Sequence, residues 1–279
     1  MANVVNTNVT STIAQHALAS NQRSLEKSMA QLSTGQRINS AADDASGLAI
    51  GNKLGTQVKS LLQADRNAND GIAMLQTADG ATRQMTAMFV RMRELAIQSA
   101  NDTNDQNGRD ALQIEFSQLQ AQIGNTISNT SWNGMKLLDG AAGSGGQVSF
   151  HVGSSSNDSI TLPLASLNTY TEVTSALSNS VSIATRSGST TAIGLIDTAI
   201  TKIDTERGNW GAVMNRLSYA ADNATNVSMN SNASRSRIMD ADYAQATAEM
   251  AKAMILDQAG SAMLSQANQQ PMYVLALLR

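Results

Sequence analysis

The chain has 279 residues, of which 42% are apolar but only 3% aromatic, with a formal net charge of −3, no cysteine and two histidines. Without cysteine there are no disulfides, thiol nucleophiles or thiolate metal ligands, and His16 and His151 stand far apart in sequence, so neither a metal nor a cofactor is expected. No run of Lys or Arg is long enough to track a phosphate backbone, and no segment approaches the roughly 20 apolar residues of a membrane span, which argues against nucleic acid and against membrane insertion.

With so few rings, burial must come from Ala, Leu, Ile, Val and the 14 Met, which favours long helices packed side by side. The first helical pattern carries Leu18, Leu25, Met29 and Leu32 and stops before Gly35, a flexible break. Ser40, Asp43 and Asp44 then form a capping signal, with carboxylates at the favourable end of the next helix dipole. That next pattern is the longest: Leu54, Val58, Leu61, Ala68, Ile72, Leu75, Ala78, Met85, Phe89, Met92 and Ala96 follow steps of three, four and seven. It predicts a helix of about 45 residues, roughly 65 Å long. A polar, Gly-containing break at 101–108 reads as a turn, and Leu112, Phe116, Leu119 and Ile123 make the returning helix of an antiparallel hairpin.

Helical spacing stops between Lys136 and Arg186, where Gly, Ser, Thr and Asn abound. The run 140–146 reads as a loop. Residues 147–152 and 159–164 alternate apolar with polar or β-favouring side chains around 153–158, which predicts a β-hairpin with Pro163 at its end. Helical spacing resumes at Ile196, Ile200, Ile203 and Leu217 as a third rod, and Tyr243, Met250 and Met254 mark a last helix after Asp240 and Asp242. The faces of the two end helices are mostly Ala, Ser, Thr, Asn and Gln, too weak to fold alone, so they are expected to order against partners. The fold class is therefore mainly α: long antiparallel helical rods and terminal coiled-coil helices, with a small β-hairpin in the middle.

The segment QLSTGQRINSAADDASGLAI (31–50) resembles the N-terminal signature of bacterial flagellins. The likeness continues in RNANDGIAMLQTADGA (66–81), RELAIQSAND (93–102), SWNGMKLLDG (131–140), SRSRIMDADYA (234–244) and QAGSAMLSQANQQPMYVLALLR (258–279). It covers roughly 1–165 and 190–279. The resemblance implies a paired terminal helical domain, residues 1–42 with 236–279, forming an inner tube. It further implies a helical core domain, 43–235, with a hairpin at about 136–165 and only a short exposed loop at about 168–189, where longer members insert outer domains.

By the same resemblance the chain is a structural subunit that polymerises with itself into the flagellar filament, the propeller for swimming, and switches supercoil by bistable packing. It is extracellular, exported through the flagellar channel without a cleaved signal peptide, and its partners are the export apparatus, a flagellin chaperone, the filament cap and hook-junction proteins. A vertebrate Toll-like receptor contacts a motif on the exposed face of the family's core helices that Arg91, Leu95 and Glu115 match. Val90 stands where many recognised members carry Gln, so weakened or absent signalling is expected. The rival readings are a hook-filament junction protein and a secreted immune-receptor ligand without a filament role. An enzyme would need a nucleophile, metal or cofactor constellation, and none is visible.

Overall fold

A computed structural model describes residues 7–164 and 166–277, with side chains to residue 269. In chain order it contains α1 (Val9–Thr34), α2 (Ala45–Ala100), α3 (Gln106–Asn129), β1 (Ser131–Trp132), β2 (Met135–Lys136), β3 (Gln147–His151), β4 (Ser159–Pro163), α4 (Thr171–Leu177), α5 (Arg186–Met239) and α6 (Tyr243–Leu277). The chain divides into two compact units, one of residues 1–57 with 229–279 and one of residues 58–228.

In the first unit α1 and α6 run antiparallel. Asn8 caps α1 by accepting from Ser11 N (3.0 Å), and Gly35 ends it in the left-handed conformation (φ 71°) that lets its N–H reach Gln31 O. The connection from α1 to α2 crosses the connection from α5 to α6 as a single β-bridge, with Arg37 N donating to Met239 O (2.6 Å) and Ala241 N to Gly35 O (2.9 Å). Ile38 and Met239 are buried here. The close approach is made by glycine: a Cβ on Gly47 would stand 2.6 Å from Ile38 Cδ1, and one on Gly51 2.5 Å from Met239 Sδ.

The start of α2 corrects the capping assignment. Asp44, not Ser40, accepts from Gly47 N (2.8 Å), because the chain enters the helix one turn later than a Ser40 cap requires. Asp43 instead accepts from Asn39 N, Ser40 N and Ser40 Oγ, folding the approach to the helix into a tight turn. Asp242 caps α6 through Ala244 N (2.9 Å).

The second unit buries one apolar cluster built from α2, α3, β3, β4, α4 and α5, including Leu75, Phe89, Met92, Phe116, Ile123, Phe150, Leu162, Val173, Ile196, Ile203 and Leu217. Asp105 caps α3 through Gly108 N, and the polar stretch before it makes the predicted turn. β3 and β4 form an antiparallel hairpin in the register Phe150 opposite Ile160, both turned into the cluster. Gly71 on α2 leaves the space that Phe150 fills, since a Cβ there would lie 2.8 Å from its ring, and Asn67 Nδ2 donates to His151 O (3.0 Å). A further two-residue pairing, β1 with β2, turns at Asn133 and Gly134, both at positive φ.

Residues 168–189 are not simply an exposed loop. They contain α4, and Val173, Ala176 and Ile183 are fully buried. Gln120 Nε2 donates to Ala176 O and Gln113 Oε1 accepts from Ile183 N (2.6 Å), while the hydroxyls of Ser99 and Ser189 both donate to Ile183 O. The segment is thus held by side chains from α2, α3 and α5 that satisfy its backbone.

Candidate functional site

The surface that asks for a partner lies on the α1–α6 pair. Along α1 the buried and half-buried positions include Ser11, Ala14, Leu18, Asn21, Leu25, Ser28 and Leu32, and along α6 they include Ala246, Met250, Ala253, Asp257, Gly260, Leu264 and Ala267. Both series alternate steps of three and four, the heptad spacing of a coiled-coil seam. The seam is made largely of small and polar residues. Asn21 Nδ2 donates to Ala253 O (2.7 Å), Ser11 Oγ to Asn268 Oδ1 (2.7 Å) and Asn8 Nδ2 to Ala267 O (2.8 Å), which fixes the antiparallel register. Oδ1 of Asp257 is closed off from solvent with no hydrogen-bond partner.

Large apolar side chains of the same pair face outward. Ile13 is 64% exposed, Ile255 66% and Met263 65%, with Val9, Met29, Met254 and Leu256 also exposed. Ile13, Leu18, Leu256 and Met263 line a cleft of about 650 Å³ whose other walls are mainly Ala, Gly and Thr. Met29, Tyr243 and Met254, which belong to the predicted end-helix patterns, are therefore on the surface and outside the seam. The predicted end-helix patterns thus divide, with Leu18, Leu25, Leu32 and Met250 in the seam and the other three uncovered.

The predicted packing stripe falls as follows. Val58, Leu61, Leu75, Phe89, Met92, Ile196, Ile203 and Leu217 are buried, and Leu54, Ile72 and Ile200 half-buried. The receptor-motif residues separate. Arg91 is exposed, its Nε donating to Glu115 Oε1 (2.8 Å) and its Nη1 to Glu94 Oε2 (3.0 Å), and these bonds hold the guanidinium pKa above its ordinary value. Val90 is also exposed. Leu95 differs: it is 1% exposed, inside the cluster and not on the exposed face the resemblance implies, because its position on α2 follows the core stripe of Phe89, Met92 and Ala96.

Three sets of charged contacts brace the elements. Arg93 bonds Asp197 through Nε (2.6 Å) and Nη2 (3.3 Å), joining α2 to α5, and Arg207 Nε donates to Asp79 Oδ1 (2.7 Å). Glu206 Oε1 accepts from Tyr170 Oη (2.9 Å) and Lys202 Nζ (2.9 Å), with the ammonium 4.0 Å from the Tyr170 ring centre. Among the described residues no group of three or more His, Asp or Glu side chains is placed to hold a metal ion, and no helix is long and apolar enough to cross a membrane.

The family model for the bacterial flagellin N-terminal helical region matches residues 5–142, and that for the bacterial flagellin C-terminal helical region matches residues 193–278. The chain is 40% identical to a flagellin of Halalkalibacterium halodurans over 276 residues, covering 99% of this chain and 100% of that one. It is 32% identical to flagellin B of Vibrio cholerae serotype O1 over an alignment of 378 positions that spans 100% of both chains. The crystal structure of Bacillus cereus flagellin matches with a TM-score of 0.50 at 31% identity, over 57% of this chain and 88% of that one. With both helical regions in place and a relative matched along its full length, the chain belongs to the bacterial flagellin family.

Proposed function

We propose that this chain is the structural subunit that polymerises into a bacterial flagellar filament, and that it works by packing and not by catalysis. The observation that carries the reading is the α1–α6 pair, whose seam is thin and whose large apolar side chains, Ile13, Ile255 and Met263 among them, are turned to solvent. A second copy laid against that face buries them. Because the contact joins two different surfaces of the same chain, it repeats without closing and builds a helical polymer. Family membership supports the same reading.

Within that polymer, residues 1–42 with 236–279 form the inner tube and 43–235 the core. The hairpin β3–β4 and the helices beside it are the bistable element that sets supercoil handedness. The filament stands outside the cell. Subunits reach it through the flagellar channel, handled by the export apparatus and a flagellin chaperone and placed between cap and hook-junction proteins. A vertebrate Toll-like receptor would find Arg91 and Glu115 exposed, but Val90 departs from the motif and Leu95 is buried, so signalling is weak or absent. Reporter-cell activation by the purified chain tests that point.

Negative-stain electron microscopy with filament seeds tests the main reading. Full-length chain should form filaments, and a chain cut before Asp43 and after Ser234 should not. A full-length chain that stays monomeric on seeds overturns it.

A further inference from the structure

We propose that Met263 is a site of reversible oxidation by peroxides, and that its sulfoxide keeps the chain from assembling. The consequence for assembly rests on the filament reading above, whereas the site itself rests on where the fold leaves sulfur uncovered. The chain has 14 Met and no Cys, so thioethers are its only sulfur nucleophiles. Among the described residues they divide by position. In the second unit Met74, Met85 and Met92 are buried and Met88, Met135 and Met214 half-buried, all in or against its apolar cluster. In the first unit Met239 is buried and Met250 half-buried, but Met29, Met229, Met254 and Met263 are exposed, Met263 the most of the four.

Of these four exposed sulfurs, that of Met263 belongs to a side chain lining the apolar cleft of the α1–α6 pair, beside Ile13, Leu18 and Leu256, and the other three residues do not line it. A peroxide meets this thioether from solvent. A sulfur lone pair attacks one peroxide oxygen, the O–O bond breaks as the S–O bond forms, and the departing hydroxide takes up a proton and leaves as water. Sulfur is oxidised by two electrons and the peroxide is reduced by the same two. The product ends in a strongly polar oxygen that only accepts hydrogen bonds. On the monomer that oxygen stays in water and costs the fold little. Under a second copy it loses its water and needs a donor. Thr10 and Asn21, two of the three polar residues in the cleft walls, already donate within the protomer, to Asn8 Oδ1 (2.7 Å) and Ala253 O (2.7 Å). Apart from Gln266 the remaining walls are apolar. The oxidised chain therefore folds as before but is excluded from the filament. Repair comes from outside, since a methionine sulfoxide reductase removes the oxygen as water while a dithiol closes to a disulfide, and this chain has no thiol of its own.

The test treats full-length monomer with dilute hydrogen peroxide and follows each methionine by peptide mass spectrometry. Met263 should oxidise at least about tenfold faster than Met85 and Met92. Seeded polymerisation is then read as the concentration left unpolymerised, which peroxide should raise at least about tenfold. A methionine sulfoxide reductase with dithiothreitol should return it to within about threefold of the untreated chain. Circular dichroism melts of treated and untreated monomer should match, separating assembly from folding. In Met263→Leu the ratio of treated to untreated concentration should stay below about threefold, whatever the untreated value, while Met229→Leu should remain as peroxide-sensitive as the parent. Oxidation of Met263 no faster than that of Met85, growth of the oxidised chain like the untreated one, or undiminished peroxide sensitivity in Met263→Leu overturns the proposal while leaving the filament reading intact. A parent that never grows on seeds removes both.

Discussion

Lys27 Nζ lies 3.0 Å from Asp43 Oδ1, so the middle of α1 is tied to the turn that leads into α2. The ammonium, followed by the Ser40 backbone and hydroxyl, holds the Asp43 carboxyl down at about 2, well below the ordinary carboxylate range. A carboxyl whose folded pKa is depressed contributes stability that is present above its unfolded pKa and is lost as pH falls through the folded one. The turn at 36–44 should therefore stay protected from amide exchange down to about pH 4 and lose protection progressively toward pH 2. In Asp43→Asn the protection should be lower at neutral pH and no longer change across that window. An unchanged acid profile in the variant would show that the Lys27–Asp43 contact does not hold the turn.

Gly35 ends α1 at φ 71°, and its N–H closes the last turn onto Gln31 O (2.9 Å). An L side chain in that conformation costs about 1 kcal/mol or more, and a Cβ there would also stand 3.2 Å from Tyr243 Oη. Gly35→Ala should destabilise the first unit by about that amount, visible as an earlier helical melt, whereas Gly80→Ala, where a Cβ meets nothing within 4 Å, should be neutral or stabilising.

Tyr170 is pushed up to about 12 by burial and by its hydrogen bond to Glu206. Burial opposes ionisation of Glu206, yet the bonds from Lys202 and Tyr170 outweigh it and keep the carboxyl below its usual range. For a phenol with a raised folded pKa, the stabilisation is complete below the unfolded value near 10 and fades as pH rises through the folded one. Phenolate absorbance should show Tyr170 titrating late, near pH 12, and Tyr170→Phe should remove that step.

The long rods were legible because their stripes are apolar and regular: Val58 through Met92 and Ile196 through Leu217 fall on the buried faces of α2 and α5. The hairpin β3–β4 was legible by alternation. What stayed hidden depends on residues with weak local signals. The end-pair seam uses Ser11, Asn21, Ser28, Ala246 and Gly260, whose spacing is heptad but whose side chains do not register as hydrophobic. α5 begins at Arg186, ten residues before the first stripe position, because Thr185 Oγ1 caps it through Gly188 N (3.1 Å) and its first turns are Ser and Thr. The Asn133–Gly134 dipeptide was the available signal for β1–β2. For α4 there was none, since seven residues are too short for a stripe to show and its hold comes from Gln113 and Gln120 elsewhere in the chain.

Phe89 and Met263 separate the two roles that apolar side chains play here. Phe89 has no exposed surface and sits in the cluster of the second unit, whereas Met263 is 65% exposed on the end pair. Phe89→Ala leaves a cavity among neighbours that do not fully collapse, and should cost about 3–5 kcal/mol in denaturant unfolding. Met263→Asp removes no buried contact and should change the stability of the monomer by no more than about 0.5 kcal/mol. On a filament seed the order should invert: Met263→Asp places an uncompensated carboxylate where a second copy must lie, and should stop growth at concentrations where the parent polymerises. Phe89→Ala should still grow below its own melting temperature. If Met263→Asp instead grew as fast as the parent, the exposed apolar face of α6 would not be an assembly surface, and Ile13 and Ile255 beside it would need another explanation.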